Sequence, residues 1–129
     1  MESILISIKK LLGIQPEYTN FDEDIIIHIN TVFGALNQLG VGPKEGFMIV
    51  DENSEWSEYT TSVNLNIIRS YIYLRVRVLF DPPTSSVLME SMNRSIAELE
   101  WRIFLEGDPI IEDPSTSDEY NDNVEWGDK

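Results

Sequence analysis

The clearest helical pattern in the chain lies between residues 87 and 103. Apolar side chains recur there at steps of three and four residues, which places them on one face of a helix. Two Glu–Arg pairs with the acid four residues before the base, Glu90–Arg94 and Glu98–Arg102, each favour a helix by about 0.2–0.5 kcal/mol. The stripe that this helix must bury against a partner consists of Leu88, Met92, Ile96, Leu99 and Ile103.

The preceding segment, residues 65–80, fits two patterns. A helical stripe is formed by Leu65, Ile68, Ile72, Val76 and Leu79. The alternation expected of a strand is formed by Leu74, Val76, Val78 and Phe80, with Arg75 and Arg77 between them. Sixteen residues without Gly or Pro are long for one strand, so length favours a helix. Pro82 and Pro83 end either element, and a short link of this kind predicts an antiparallel helix pair.

Two further amphipathic helices are predicted before residue 41. The first is short and ends at Gly13, and its apolar residues are Ile4, Ile8, Leu11 and Leu12. The second begins after Asn20, a good N-cap with Glu23 three residues later, and ends at Gly40. Its buried stripe is Ile25, Ile29, Val32, Leu36 and Leu39.

Residues 41–62 lack a clear period. Phe47 to Val50 fits a short strand or an apolar tether, and Trp56 and Tyr59 are spaced as in one helical turn. A loop of this length inside a small domain is usually functional or mobile. Two interpretations stand: a binding loop, or a segment that packs its own aromatic side chains under the bundle.

Charge divides the chain into two parts, residues 1–106 and residues 107–129. The formal net charge is −14, and the last 23 residues contain eight acids and one lysine. Such a segment is predicted to be extended and not to fold by itself, although it carries isolated apolar residues. A chain this acidic does not bind nucleic acid through a broad surface, because phosphates require Lys and Arg. The acid instead favours solubility or a surface past which DNA slides.

No pattern of catalytic or metal-binding residues is found in the sequence. There is no cysteine, and His28 is the single histidine, beside a buried stripe, where a structural or solvent-facing role is expected. The tail carboxylates lack the spacing of a calcium loop. The run of apolar residues near the N-terminus precedes its lysines, which is the wrong order for a secretory signal, and no stretch reaches ~20 apolar residues. We therefore expect no enzyme activity, no cofactor, no metal and no membrane span.

Four stretches of the chain are similar to one known family. They are KKLLGI at 9–14, LNQLGVGPKEGF at 36–47, SYIYLRVRVLFDPPTSS at 70–86 and ELEW at 98–101. Together they resemble the head–tail connector, or neck adaptor, proteins of long-tailed bacteriophages. The likeness covers about residues 1–105, its most specific part is YIYLRVRVLFDPP, and the acidic tail has no match in it.

The resemblance implies an all-α fold, a small bundle of about four helices with an irregular 41–62 loop and an extended tail. It also implies that residues 65–80 are helical. The implied protein is a structural component of the virion neck, made in the cytoplasm of the bacterial host. Its implied partners are further copies in a ring, a dodecamer by analogy, with the portal protein and a tail-completion or stopper protein. DNA passes through the channel of such a ring without specific binding.

Aromatic, apolar and basic side chains outside the clearest stripes are the predicted contacts to neighbouring subunits or to the portal. They are Phe47, Trp56, Tyr59, Arg69, Arg75, Arg77, Ile110, Ile111, Tyr120 and Trp126. For the three arginines two interpretations stand: an ion pair with an acid of the same or another subunit, or a contact to an acidic partner or to a phosphate backbone. For the whole chain the competing hypothesis is an acidic binding module, either a DNA mimic or a regulator that captures a basic partner.

Overall fold

The computed structural model describes residues 2–60 and 64–107. These ranges contain five helices and no sheet, and one isolated antiparallel bridge joins Ser3 to Glu55. In chain order the helices are α1 (Ile4–Leu12), α2 (Asp22–Gln38), the single turn α3 (Trp56–Tyr59), α4 (Leu65–Phe80) and α5 (Ser86–Gly107). The predicted all-α fold is confirmed, and the tail from residue 108 lies outside the described residues.

Helix α4 is the central element, because α1, α2 and α5 all pack on it. Its fully buried residues are Ile68, Tyr71, Ile72 and Val76. Leu74 and Val78, on other sides of the helix, are half-buried against the same core. A helix with neighbours on three sides carries apolar residues around most of its circumference. This is the physical reason why residues 65–80 also fit the alternation of a strand.

Helices α1 and α4 run in one direction, and α2 runs in the other. The last turn of α1 meets the first turn of α2 through an ion pair of 2.8 Å between Lys9 Nζ and Asp22 Oδ1. Phe21, directly before α2, contacts Phe80, the last residue of α4, with ring centroids 5.3 Å apart. The start of α2 and the end of α4 therefore lie at the same end of the bundle.

Helices α4 and α5 form the predicted antiparallel pair, with a register that leaves the first turns of α5 uncovered. Arg75 Nη1 lies 3.0 Å from Glu100 Oε2, which sets these two residues at one level. Five residues further along α4 is Phe80, and five residues back along α5 is Ser95. Residues 86–94 therefore extend past the end of α4.

Burial follows the predicted stripes in the middle of the bundle and departs from them at its ends. Ile96 and Ile103 are buried as predicted. The prediction that Leu88 belongs to the buried stripe is wrong, since its side chain is 57% exposed on the uncovered turns of α5. Leu11 and Leu79, each predicted to be buried at the end of a stripe, are also about half exposed.

The predicted helix ends are correct for the glycines and wrong for Asn20. Gly13 and Gly40 follow α1 and α2 with φ of 84° and 85°, the left-handed conformation that ends helices. Asn20 does not cap α2, whose N-cap position is Phe21 without a side-chain hydrogen bond. The chain is still in a turn at Asn20, and the side-chain amide donates to the hydroxyl of Tyr18 instead.

The 41–60 segment packs its own apolar side chains under the bundle, which confirms one of its two interpretations. Ile49 is buried. Its backbone N–H donates to Oδ1 of Asn30 in α2 at 2.8 Å, and its carbonyl oxygen accepts from Nδ2 of the same residue at 3.0 Å. This amide takes the place of a strand partner, so the segment around Phe47 to Val50 is an apolar tether and not a strand. Residues 61–62, the end of the predicted loop, lie outside the described residues.

Two glycines give a matched test of this packing. Gly42 has φ of 89°, and a Cβ there would lie 2.6 Å from Cε1 of Tyr59, whereas a Cβ on Gly34 would meet nothing within 4 Å. We expect Gly42→Ala to destabilise the subunit by about 1–3 kcal/mol. Gly34→Ala should stabilise it by about 0.5–1 kcal/mol, because alanine has a higher helix propensity than glycine at an exposed position inside a helix. Urea denaturation of both variants checks the opposite signs, and equal effects would contradict the packing of Tyr59 against Gly42.

Candidate functional site

The candidate functional features of the described residues are exposed surfaces, and no metal-binding cluster is found among these residues. Across residues 2–60 and 64–107, no group of three or more His, Asp or Glu side chains is arranged to hold a metal ion. His28 is half-buried, and its ring lies 6.3 Å from that of Phe80. In the same part of the chain no helix has the length and apolar character needed to cross a bilayer.

The three arginines of the predicted basic cluster each meet a carboxylate of the same subunit. Arg69 lies 3.0 Å from Glu2, and its guanidinium also lies over the ring of Trp56, 5.5 Å from the centroid. Arg75 pairs with Glu100 at 3.0 Å. Arg77 lies 4.0 Å from the carboxylate of Asp81 and donates to its carbonyl oxygen at 2.8 Å. The interpretation of ion pairs within the subunit is confirmed for all three.

The three aromatic candidates of the 41–60 segment lie together in or beside the core. Phe47 and Tyr59 both contact Phe33 of α2, with ring centroids 5.1 and 4.6 Å away. Trp56 is buried, and its indole N–H donates to Ser7 Oγ of α1 at 2.7 Å. Within the subunit these side chains hold α1, α2 and α3 together. Their contact with a neighbour stays a prediction, and such a neighbour would meet Phe47, the half-buried member, first.

The remaining candidates are on the acidic tail. Ile110, Ile111, Tyr120 and Trp126 lie outside the described residues. The helix that leads to them, α5, ends at Gly107, at the end of the bundle opposite the α4–α5 link. Helix α5 therefore ends at the same end of the bundle as the start of α4.

The sequence reasoning missed an apolar groove between α2 and the 45–48 segment. The groove has a volume of about 680 Å³ and is lined by Ile27, Gly34 and Met48 among others. Ile27 is 60% exposed and Met48 is 69% exposed. Ile27 is two residues from both Ile25 and Ile29, so it lies on the opposite face of the helix. The run of three isoleucines at 25–27 therefore indicated that one of them would be exposed.

The outer face of α5 carries a second exposed apolar surface. Ile96 and Ile103 point toward α4, and Trp101 lies on the opposite side, 41% exposed, with its ring stacked on Phe104 at 6.0 Å. Val87, two turns before Arg94 on that same outer side, is 73% exposed. A tryptophan exposed to this extent is typical of a surface that binds another protein.

Tyr71 joins α4 and α5 through a small polar network beside the core. Its hydroxyl donates to Glu100 Oε2 at 2.7 Å and accepts from Arg75 Nη1 at 3.0 Å. Burial of the phenol, followed by its hydrogen bond to Glu100, raises the pKa of Tyr71 to about 12 from its ordinary value of 10.0. The neutral phenol is therefore favoured by folding.

This shift predicts a loss of stability at high pH. The unfolded chain releases the Tyr71 proton near pH 10.0 and the folded chain near pH 12, so folding stability is full below pH 10 and falls between the two. Burial raises the pKa of Tyr59 in the same direction. Tyr71→Phe should therefore reduce, and not abolish, the decrease in unfolding free energy between about pH 8 and about pH 11, measured by urea denaturation. An unchanged decrease in the variant would contradict the shift.

The described residues form a small helical domain with internally paired charges and two exposed apolar faces. Residues 4–109 match the family model described as phage connector protein, and the chain belongs to this family. The predicted family is confirmed. No curated relative and no solved structure matches the chain. Membership assigns the chain a structural connector role in a bacteriophage.

Proposed function

We propose that this chain is the repeating subunit of a ring in the virion neck, which docks on the portal and extends the DNA channel toward the tail. The observation that carries the proposal is the family match across residues 4–109. The proposed partners are further copies of the chain, as a dodecamer, the portal protein, and a tail-completion or stopper protein. DNA passes through without a specific contact.

The charge of the described bundle supports a conduit through which DNA slides. Residues 1–107 contain 15 acids and eight bases, so this part of the chain carries a net charge of −7. Lys9 and the arginines 69, 75, 77 and 102 pair with acids of the same subunit, which leaves few cations for phosphates. Carboxylates within about 8 Å of the DNA would repel it and prevent the chain from holding it in the channel.

We assign a different role to each of the two parts of the chain. Residues 1–106 form the connector domain, and residues 107–129 form an acidic arm that contacts a neighbouring protein. The arm carries a net charge of −7, and the bundle from which it leaves is equally acidic. The arm is therefore repelled by its own subunit, and a basic surface on another protein is its proposed binding site. Its apolar residues Ile110, Ile111, Tyr120 and Trp126 are the proposed anchors.

Deletion of residues 108–129 tests this proposal, because it leaves α5 complete to Gly107. We expect the truncated chain to retain the helix content and stability of the bundle. In a phage that lacks the gene, it should fail to restore joining of heads to tails, measured as infectious titre and by electron microscopy.

A second chain supplies the matched control. It keeps all the acids of the tail but replaces the four apolar anchors with serine, so it separates the effect of charge from that of apolar contact. We expect it to fail as the truncation does. Full assembly with the truncated chain would show that the tail is not the contact arm.

A further inference from the structure

The outer faces of α2 and α5 both point away from α4, on which the two helices pack. Helix α2 is antiparallel to α4, and α4 is antiparallel to α5, so α2 and α5 run in the same direction. Both pack on α4, and they do not form a packed pair with each other. In a ring of many subunits each copy is related to the next by a small rotation, so the α5 of one copy stays nearly parallel to the α2 of its neighbour.

The outer face of α5 carries a cation and an aromatic ring at helical spacing. Arg94 and Trp101 are seven residues apart and therefore lie on one face, about 10 Å apart along the axis. This face is opposite to Ile96 and Ile103, which point to α4. Arg94 is exposed and makes no ion pair with any residue that the structure describes, whereas Arg102 is paired with Glu98 at 3.0 Å.

The outer face of α2 carries an acid and a groove at the same spacing. Glu23 is exposed, and within the described ranges it has no basic partner. Seven residues further along the helix is Asn30, which lines the groove together with Ile27 and Gly34. Gly34 leaves the floor of the groove open, because no described atom outside its own stretch of helix lies within 4 Å of the position of its missing Cβ. Glycine in a helix interior costs about 1 kcal/mol relative to alanine, and no described contact within the subunit requires it.

The levels of the two faces along the bundle agree. The contact between Phe21 and Phe80 sets the start of α2 level with the end of α4. The Arg75–Glu100 pair sets the end of α4 level with Ser95 of α5. Arg94 is therefore level with the residue before Phe21, about one helical turn from Glu23, and Trp101 is level with Ile27 of the groove.

We propose that the outer face of α5 in one subunit docks on the outer face of α2 in the next, with Trp101 in the groove beside Ile27 and Arg94 paired with Glu23. The interface is heterologous, because each copy contributes two different faces, and a contact of this type forms a closed ring when the rotation between copies completes a full turn. This inference rests on the proposed function, since it names the faces through which the proposed ring forms. A buried tryptophan surrounded by a polar rim is the usual centre of such a contact.

Cross-linking tests the interface directly, because the chain has no cysteine of its own. The variant Glu23→Cys/Arg94→Cys is built into phage particles and treated with a short bismaleimide. We expect a ladder of dimers, trimers and higher multimers on a denaturing gel, since every copy can be joined on both sides. The matched control, Glu52→Cys/Arg94→Cys, moves one thiol to an exposed turn beside the N-terminal end of α1 and should give no ladder.

The outcomes separate the interface from the function. Tailed, infectious particles that contain the variant chain but give no ladder would overturn the interface and leave the connector role standing. If neither the variant chain nor the unmodified chain is found in the particles, the proposed function and the interface are both overturned. A ladder between this chain and a different virion protein would assign the groove to that protein and overturn the inference.

Charge reversal gives a second, independent measurement. Glu23→Arg and Arg94→Glu should each reduce the yield of joined particles by about tenfold or more, because each places like charges at the contact. The double variant should restore the yield to near that of the unmodified chain. Circular dichroism checks that each single variant is folded, and a double variant as defective as the singles would contradict the pairing.

Discussion

Replacement of Lys9 with alanine should destabilise the subunit by about 3–5 kcal/mol, the cost typical of breaking a buried charge pair. The Lys9 side chain is fully buried, and its ammonium lies 2.8 Å from the Asp22 carboxylate. It also donates to the carbonyl oxygens of Pro16 and Tyr18, at 3.0 and 2.8 Å. Its removal leaves a largely buried carboxylate and two carbonyls without their partner, at the point where the 13–21 link joins α1 to α2.

The neighbouring Lys10 is the matched control for this prediction. Lys10 is exposed and belongs to the same last turn of α1, so Lys10→Ala should change stability by less than about 0.5 kcal/mol. The difference is measured as the shift in the urea midpoint of the two variants. Since small domains are stable by about 5–15 kcal/mol, Lys9→Ala should remove a large part of the free energy of unfolding. Similar midpoints for the two variants would contradict the role of Lys9.

Replacement of Trp56 with alanine should also destabilise the subunit by about 3–5 kcal/mol. The indole fills the space between α1 and the start of α4, bonds Ser7 Oγ, and lies under the guanidinium of Arg69. Trp56→Phe keeps most of the side-chain volume and should therefore lose less stability than Trp56→Ala. The effect should be on folding itself, seen as a lower thermal midpoint of the isolated subunit.

Trp101 is the control that separates folding from assembly. Its side chain is 41% exposed and contacts Phe104, so Trp101→Ala should cost the isolated subunit no more than about 1 kcal/mol. The same change should strongly reduce head–tail joining if Trp101 docks on a neighbour. Trp56→Ala should therefore lower the stability of the isolated chain, whereas Trp101→Ala should lower joining with little change in stability. An equal loss of stability from both would contradict the different burial of the two side chains.

The sequence predicted the helices well because their apolar period is regular. The stripes of α2 and α5 identify Ile25, Ile29, Ile96 and Ile103 as core residues, and all four are buried. The pattern is weaker in α4, since that helix packs on three others and needs apolar residues on most sides. There the choice of a helix rested on length and on the likeness to connector proteins.

Features that depend on register or on distant chain segments were not predictable. Lys9 and Lys10 are adjacent residues of the same type, so the sequence does not distinguish them. Lys9 is buried because the chain folds back on it at Pro16 and Tyr18, whereas Lys10 stays exposed. Leu88 has the spacing of a core residue, but the register of the α4–α5 pair places it beyond the end of α4. The choice between a binding loop and a packed segment at 41–60 depended likewise on Asn30, which is almost 20 residues away from Ile49 along the chain.

The same limit applies to the surface. Glu23, Ile27 and Gly34 share an outer face of α2 that the helical period indicates, but the groove exists only because the 45–48 segment returns beside them. Likewise, Arg75 was expected at a contact because of its charge, and its position opposite Glu100 follows only from the hairpin register. Local patterns predict which residues lie on one face, whereas tertiary packing determines which faces remain open.

Electron microscopy of particles made by a phage that lacks this gene is the most direct test of a structural connector. We predict DNA-filled heads and complete tails that are separate from each other, with joining restored by the intact chain supplied in trans. Heads joined to tails at the normal frequency in the absence of the chain would contradict the connector role.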